Sequence, residues 1–213
     1  MTTTALATQQ SPADRLAANR LLPLLTLTEA LTAGQMALAA CTVDRPPMAR
    51  GVHVWGTIIE ALRRLGRADG WARSEGKLSS VLSPDATIQI TVATGDEATG
   101  IEGATPRTKY PRGAASVEAI EDNQIALFPD ARSVRRRTSG VLTWLLLHRR
   151  MRDCVRWELS LPKSVDEDGI IQTWADRIIL DPLACDLVDE AILSSTEELD
   201  LAARQFDPEV TRK

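Results

Sequence analysis

The strongest constraint on the fold is a pair of apolar-rich runs, 141–148 and 154–161, separated only by Arg149-Arg150-Met151-Arg152-Asp153. Paired as a hairpin with Leu146 nearly opposite Trp157, they put Leu142, Trp144, Leu146, Val155, Trp157, Leu159 and Leu161 on one face. Thr143, Arg156, Glu158 and Ser160 fall on the other. Side chains alternate across a strand, so this segregation predicts a sheet with one buried face and one wet face. Thr87–Val92 alternates in the same way, with Ile88, Ile90 and Val92 inward after the turn Ser83-Pro84-Asp85. Ile170–Leu180, beyond the turn Asp166-Glu167-Asp168-Gly169, supplies a further strand. Trp144, Trp157 and Trp174 on successive strands predict cross-strand packing. The rival, a base-stacking platform, needs an exposed face with basic neighbours.

Before the sheet the period is helical. Ser11-Pro12-Ala13-Asp14 has a capping serine, proline at the first helical position and an acid in the first turn. Thr26-Leu27-Thr28-Glu29 reads as a capping box opening a helix to about Cys41, with Leu27, Leu31 and Leu38 as its apolar stripe. Residues 52–65 form a third helix with Val52, Trp55, Ile59 and Leu62 inward, ended by Gly66 and Gly70. Ser195-Thr196-Glu197-Glu198 starts a short C-terminal helix. The expected fold is one α+β domain over residues 11–185. Its helices come first, followed by a mostly antiparallel sheet of about four strands. Residues 94–140 are a long, polar, flexible excursion from it. Residues 1–10 are expected to be disordered, and 186–213 to form an acidic helix and tail.

Composition narrows the class. No apolar run has the length of a membrane span, and the first ten residues lack the basic start and apolar stretch of a signal peptide, so an intracellular, cytoplasmic protein without membrane contact is expected. Cys41, Cys154 and Cys185 are scattered, and His53 and His148 are the two histidines, which fits neither a disulfide framework nor a zinc site. Residues 164–213 carry thirteen Asp/Glu against four Lys/Arg, whereas residues 1–163 carry sixteen against twenty-one. The bases concentrate at Arg132, Arg135, Arg136, Arg137, Arg149, Arg150 and Arg152. Such a cluster suits non-specific contact with the phosphates of DNA or RNA. The alternative is that it neutralises the acidic end within the fold.

Catalytic signatures are sparse. Gly95-Asp96-Glu97-Ala98-Thr99-Gly100 has nearly phosphate-loop spacing, but Ile101-Glu102 stands where Lys-Ser/Thr is needed. Asp96 and Glu97, with Asp85 before the strand, could hold a divalent ion for phosphodiester chemistry. This resembles a restriction-type nuclease in its Pro84-Asp85 element, but the family's Asp/Glu-x-Lys element is absent: Glu158 is followed by Leu159-Ser160. The reading that stands first is non-enzymatic, without cofactor or metal.

One pentapeptide has the form of an address. Gln124-Ile125-Ala126-Leu127-Phe128 resembles the Gln-Leu-x-Leu-Phe peptide by which bacterial polymerases, repair factors and replication regulators dock on the replicative sliding clamp, with Ile125 for leucine as its departure. The resemblance implies Gln124 as polar anchor, Ile125 beside it, and Leu127 with Phe128 filling an apolar pocket. It implies an accessory protein of bacterial DNA replication, repair or mobile-element maintenance whose partner is that clamp. Val117, Ile120, Gln124 and Leu127 also share helical spacing, so the same segment reads alternatively as the core face of a helix in a subunit of a larger nucleoprotein assembly.

Overall fold

The computed structural model describes residues 10–127 and 140–184, with the backbone alone at 124–127. Three helices come first: α1 (Pro12–Ala18), α2 (Leu24–Ala39) and α3 (Pro47–Gly66). Two short strands follow, β1 (Ala72–Arg73) and β2 (Val81–Leu82), then β3 (Ile88–Thr94). Helix α4 (Ala114–Leu127) precedes β4 (Leu142–Arg150), β5 (Cys154–Val165) and β6 (Ile171–Ala184). The strands form a six-stranded sheet in the order β1-β2-β3-β4-β5-β6. The α+β class with helices leading is therefore observed, with more strands than the four expected. The sheet is also mixed, because β3 and β4 run parallel while the other neighbours are antiparallel. A parallel pair needs a long crossover, usually helical. The chain between Thr94 and Leu142 makes that crossover, with α4 as its helix, where the sequence reading had placed a flexible excursion.

The hairpin register differs from expectation by two residues: Leu146 pairs with Leu159, and His148 pairs with Trp157. A shift by two preserves the faces, because side-chain direction repeats every second residue. Trp144, Leu146, Val155, Trp157, Leu159 and Leu161 accordingly join Ile88, Ile90 and Val92 under α1–α3 in one core.

The second face is not wet. Leu145, Leu147, Ala93 and Ile171 pack there with Ile120 of α4, and Trp174 packs at their margin. Trp174 thus lies on the opposite side of the sheet from Trp144 and Trp157, both of which are buried, and no base-stacking platform is built from the three. Glu158 and Ser160 are also buried on this face. Glu158 accepts from Arg177 Nη2 at 2.6 Å and Nε at 2.9 Å, from Ser160 Oγ at 2.6 Å, and from Gly100 N at 2.9 Å. Arg177 in turn donates to the carbonyl of Ala104. The loop 95–112 is thereby strapped across β5 and β6. At Gly100, φ is +69° and an added Cβ would lie 3.0 Å from Trp157 N, so a close, left-handed passage requires glycine there.

Local rules succeed and fail at identifiable points. Ser11 Oγ accepts from Asp14 N, as its position before Pro12 predicts. The box Thr26–Glu29 does not cap α2, which starts earlier, behind Pro23. Helix α3 buries Ile59 and Leu62 of the expected stripe, but in its first half Val54 and Ile58 are buried while Val52 is 61% exposed, so the stripe is turned there. The cause is the α2–α3 contact. A Cβ at Gly34 would lie 2.4 Å from Ile58 Cγ1 and 3.5 Å from Val54 Cγ1, so Ile58 and Val54 pack directly on that glycine of α2. No helix among the described residues is long and apolar enough to cross a membrane.

Candidate functional site

The parallel pair ends in a cleft. Thr94 closes β3, and His148, Arg149 and Arg150 close β4 beside it. Gln35 and Leu38 of α2 and Arg50, Val54 and Trp55 of α3 form the opposite wall, with the hairpin turn Met151-Arg152 at the mouth. The cleft volume is about 340 Å³, within the range of small-molecule sites. In doubly wound α/β sheets ligands bind in the crevice beyond the carboxyl ends of the strands, and the cleft here stands at the corresponding end of the parallel pair.

The loop side is pinned. Lys109 N donates to Thr94 O at 2.9 Å, Thr108 N to Ile171 O at 2.9 Å, and Asp96 N to Arg107 O at 3.0 Å. Gly95 and Thr108 form an isolated bridge. These bonds present Lys109 and Tyr110 to the cleft, with Lys109 Nζ 5.7 Å from the tyrosine ring centroid.

The charged lining is cationic: Arg50, Lys109, Arg149, Arg150 and Arg152, with no carboxylate among the described lining residues. Several are oriented by hydrogen bonds. Arg50, 2% exposed, donates from Nη2 to Val43 O at 2.7 Å. Arg150 donates from Nη1 to Gln35 Oε1 at 3.0 Å and from Nε to Met151 O at 2.9 Å. Arg149 reaches out to Glu97 Oε1 at 2.7 Å. His148 is buried, and its Nδ1 has no hydrogen-bond partner among the described residues. Burial pushes this imidazole down from 6.5 to about 4, so the ring is neutral at physiological pH. Trp55 and Tyr110 remain 37% and 39% exposed.

Of the residues singled out from the sequence, Arg149, Arg150 and Arg152 therefore meet at one site. Arg132, Arg135, Arg136 and Arg137 lie outside the described residues, as does the short helix expected after Ser195. The backbone of Gln124, Ile125 and Leu127 forms the last turn of α4; their side chains and Phe128 also lie outside. The sequence reading did not find Arg50, Trp55, Lys109, Tyr110 or His148 as a group. They come from two elements and one loop, and only the adjacency of Lys109 and Tyr110 before Pro111 hinted at a basic, aromatic rim.

The carboxylates proposed for a nuclease are not brought together. Asp85 and Asp96 flank opposite ends of β3, roughly 25–30 Å apart at strand rise. Asp85 is committed to its own turn, accepting from Ser83 Oγ at 2.7 Å and from Thr87 Oγ1 at 2.8 Å and N at 3.1 Å. Those hydrogen bonds pull its carboxyl down from 3.8 to about 2. Asp96 caps Ala98 N at 3.1 Å, and Glu97 pairs with Arg149. Among the described residues no cluster of His, Cys, Asp and Glu is arranged to hold a metal ion.

Fold and cleft together define an α+β protein with a mixed sheet covered on both faces and a cationic crevice at its parallel pair. Comparison with protein-family models, with curated proteins and with solved structures gives no match.

Proposed function

We propose that the protein is a non-enzymatic accessory factor of bacterial DNA replication, repair or mobile-element maintenance that docks on the replicative sliding clamp through Gln124–Phe128. The observation that supports this reading is the segment's position. It begins immediately after Asn123, the last described anchor of α4 on the sheet. Asn123 accepts from Thr143 N at 2.7 Å and donates to Thr143 O at 2.9 Å and Pro162 O at 3.3 Å. Opening the last helical turn would break none of these bonds, and helix ends open most readily. Affinity is expected on the order of micromolar, because ordering an extended peptide offsets part of the contact energy. Arg149, Arg150 and Arg152, with Arg132 and Arg135–Arg137, would add salt-sensitive contact with nucleic acid near the clamp.

A second reading makes the protein an interaction subunit of a larger assembly with the pentapeptide packed inside. Its support is that Ser116, Ile120 and Asn123 are buried on one face of α4 directly before the pentapeptide. The two are separated by measuring clamp binding and thermal melting of a variant with Gln124, Leu127 and Phe128 changed to Ala. Lost binding with an unchanged melt supports docking. A collapsed melt assigns the residues to the core.

A further inference from the structure

We infer that the cleft beyond β3 and β4 is a binding site for a nucleoside phosphate, with the phosphate against the arginines and Lys109 and the base against Trp55 and Tyr110. This site is separate from Gln124–Phe128 and does not rest on clamp docking.

Four observations converge. The cleft stands at the carboxyl ends of the parallel pair, where both strands direct their last residues into one crevice. Its five charged lining residues are all basic, with Arg149 also paired to Glu97 outside the lining, and donors of this kind match the oxygens of a phosphate group. The guanidinium groups of Arg50 and Arg150 are held in fixed orientations by Val43 O and Gln35 Oε1, the preorganisation that a phosphate site needs. His148, more than nine-tenths buried in the lining, carries a ring nitrogen without a partner. A buried polar atom left so is costly, and a ligand hydroxyl or phosphate oxygen reaching the ring would remove that cost. The aromatic rings make the ligand a nucleoside phosphate rather than bare phosphate, since rings at the edge of a basic groove stack bases.

A free nucleotide and the phosphorylated end of a nucleic-acid strand share this chemistry. The full-length chain is titrated calorimetrically at low salt with AMP, GMP, CMP and dTMP, with inorganic phosphate, and with six-residue thymidine oligonucleotides bearing 5′-phosphate or 5′-hydroxyl. Saturable binding on the order of 10–100 μM is expected for at least one nucleotide or for the phosphorylated oligonucleotide, with inorganic phosphate at least about tenfold weaker. Binding by a free nucleotide or by the phosphorylated strand alone tells the two sources apart, and either supports the site. Trp55→Ala and Lys109→Ala should each weaken binding at least about tenfold without moving the melt. In the wild type, the Trp55 indole NMR signal should shift on titration, which keeps the test valid if a variant misfolds. No saturation up to about 1 mM with any nucleotide or oligonucleotide, phosphate binding as tightly as nucleotides, or an unmoved Trp55 signal would each overturn the assignment.

Discussion

His148 shows what a strand pattern can and cannot tell. Its parity with Trp144 and Leu146 puts it on the helix-covered face, and that parity was legible in the sequence. Its depth was not, because burial at a strand end depends on what α2 and α3 bring above it. The consequence is an acid sensitivity of definite sign. The folded ring titrates near 4 and the free ring near 6.5. As pH falls from 6.5 to 4 the unfolded chain gains a proton that the folded chain refuses. Stability should therefore drop across that window, by up to roughly 3 kcal/mol. Asp85 does not confound the measurement, since its stabilising contribution is present above 3.8 and is lost only as pH falls toward 2. Urea midpoints at pH 7 and pH 4.5 check the effect, and His148→Gln should flatten the difference. Glu158 teaches the same lesson on the other face. Alternation assigned it to water, yet it is fully buried against Arg177. Glu158→Gln should cost about 3–5 kcal/mol, the range for breaking a buried pair and leaving its partner charged. It should also speed proteolysis within the strap 99–106.

At the scale of elements, β3, β5 and the start of α1 were readable because each follows a local rule: alternation, alternation and capping. β1 and β2 were not, since two-residue strands carry no period. The rotation of α3 was hidden for a different reason. Val52 and Trp55 satisfy helical spacing as well as Val54 and Ile58 do, and only the close approach at Gly34 chooses between the stripes. Gly34→Ala should destabilise despite alanine's better helix propensity. Overpacking against Ile58 costs about 1–3 kcal/mol and the propensity gain is about 1 kcal/mol, and the shift is read from a denaturant midpoint. Besides the packing of Ile120, a polar residue ties helix α4 to the sheet: Asn123 supplies the hydrogen bonds that join Thr143 to Pro162, where proline offers no donor. Asn123→Ala should cost about 1–3 kcal/mol by leaving Thr143 N buried without a partner, and hydrogen exchange at that amide should accelerate.

At the scale of the molecule, part of the basic charge seen in the sequence gathers at one cleft. The basic side includes the cleft, and β6 ends at Ala184, which pairs with Cys154 just past the hairpin turn at the cleft mouth. The chain beyond carries Asp186, Asp189 and Glu190 within a few residues. The candidate cleft was only partly legible because its residues converge from α2, α3, the strap and the hairpin, and no local spacing encodes that meeting. The pentapeptide was fully legible as a string, but its role depends on whether the last turn of α4 can open. A titration of purified bacterial sliding clamp with the full-length protein, with and without an excess of a synthetic peptide spanning Gln124–Phe128, tests that most directly. The expected result is saturable binding on the order of micromolar that the peptide abolishes; absence of binding, or binding that the peptide leaves untouched, would contradict the docking role.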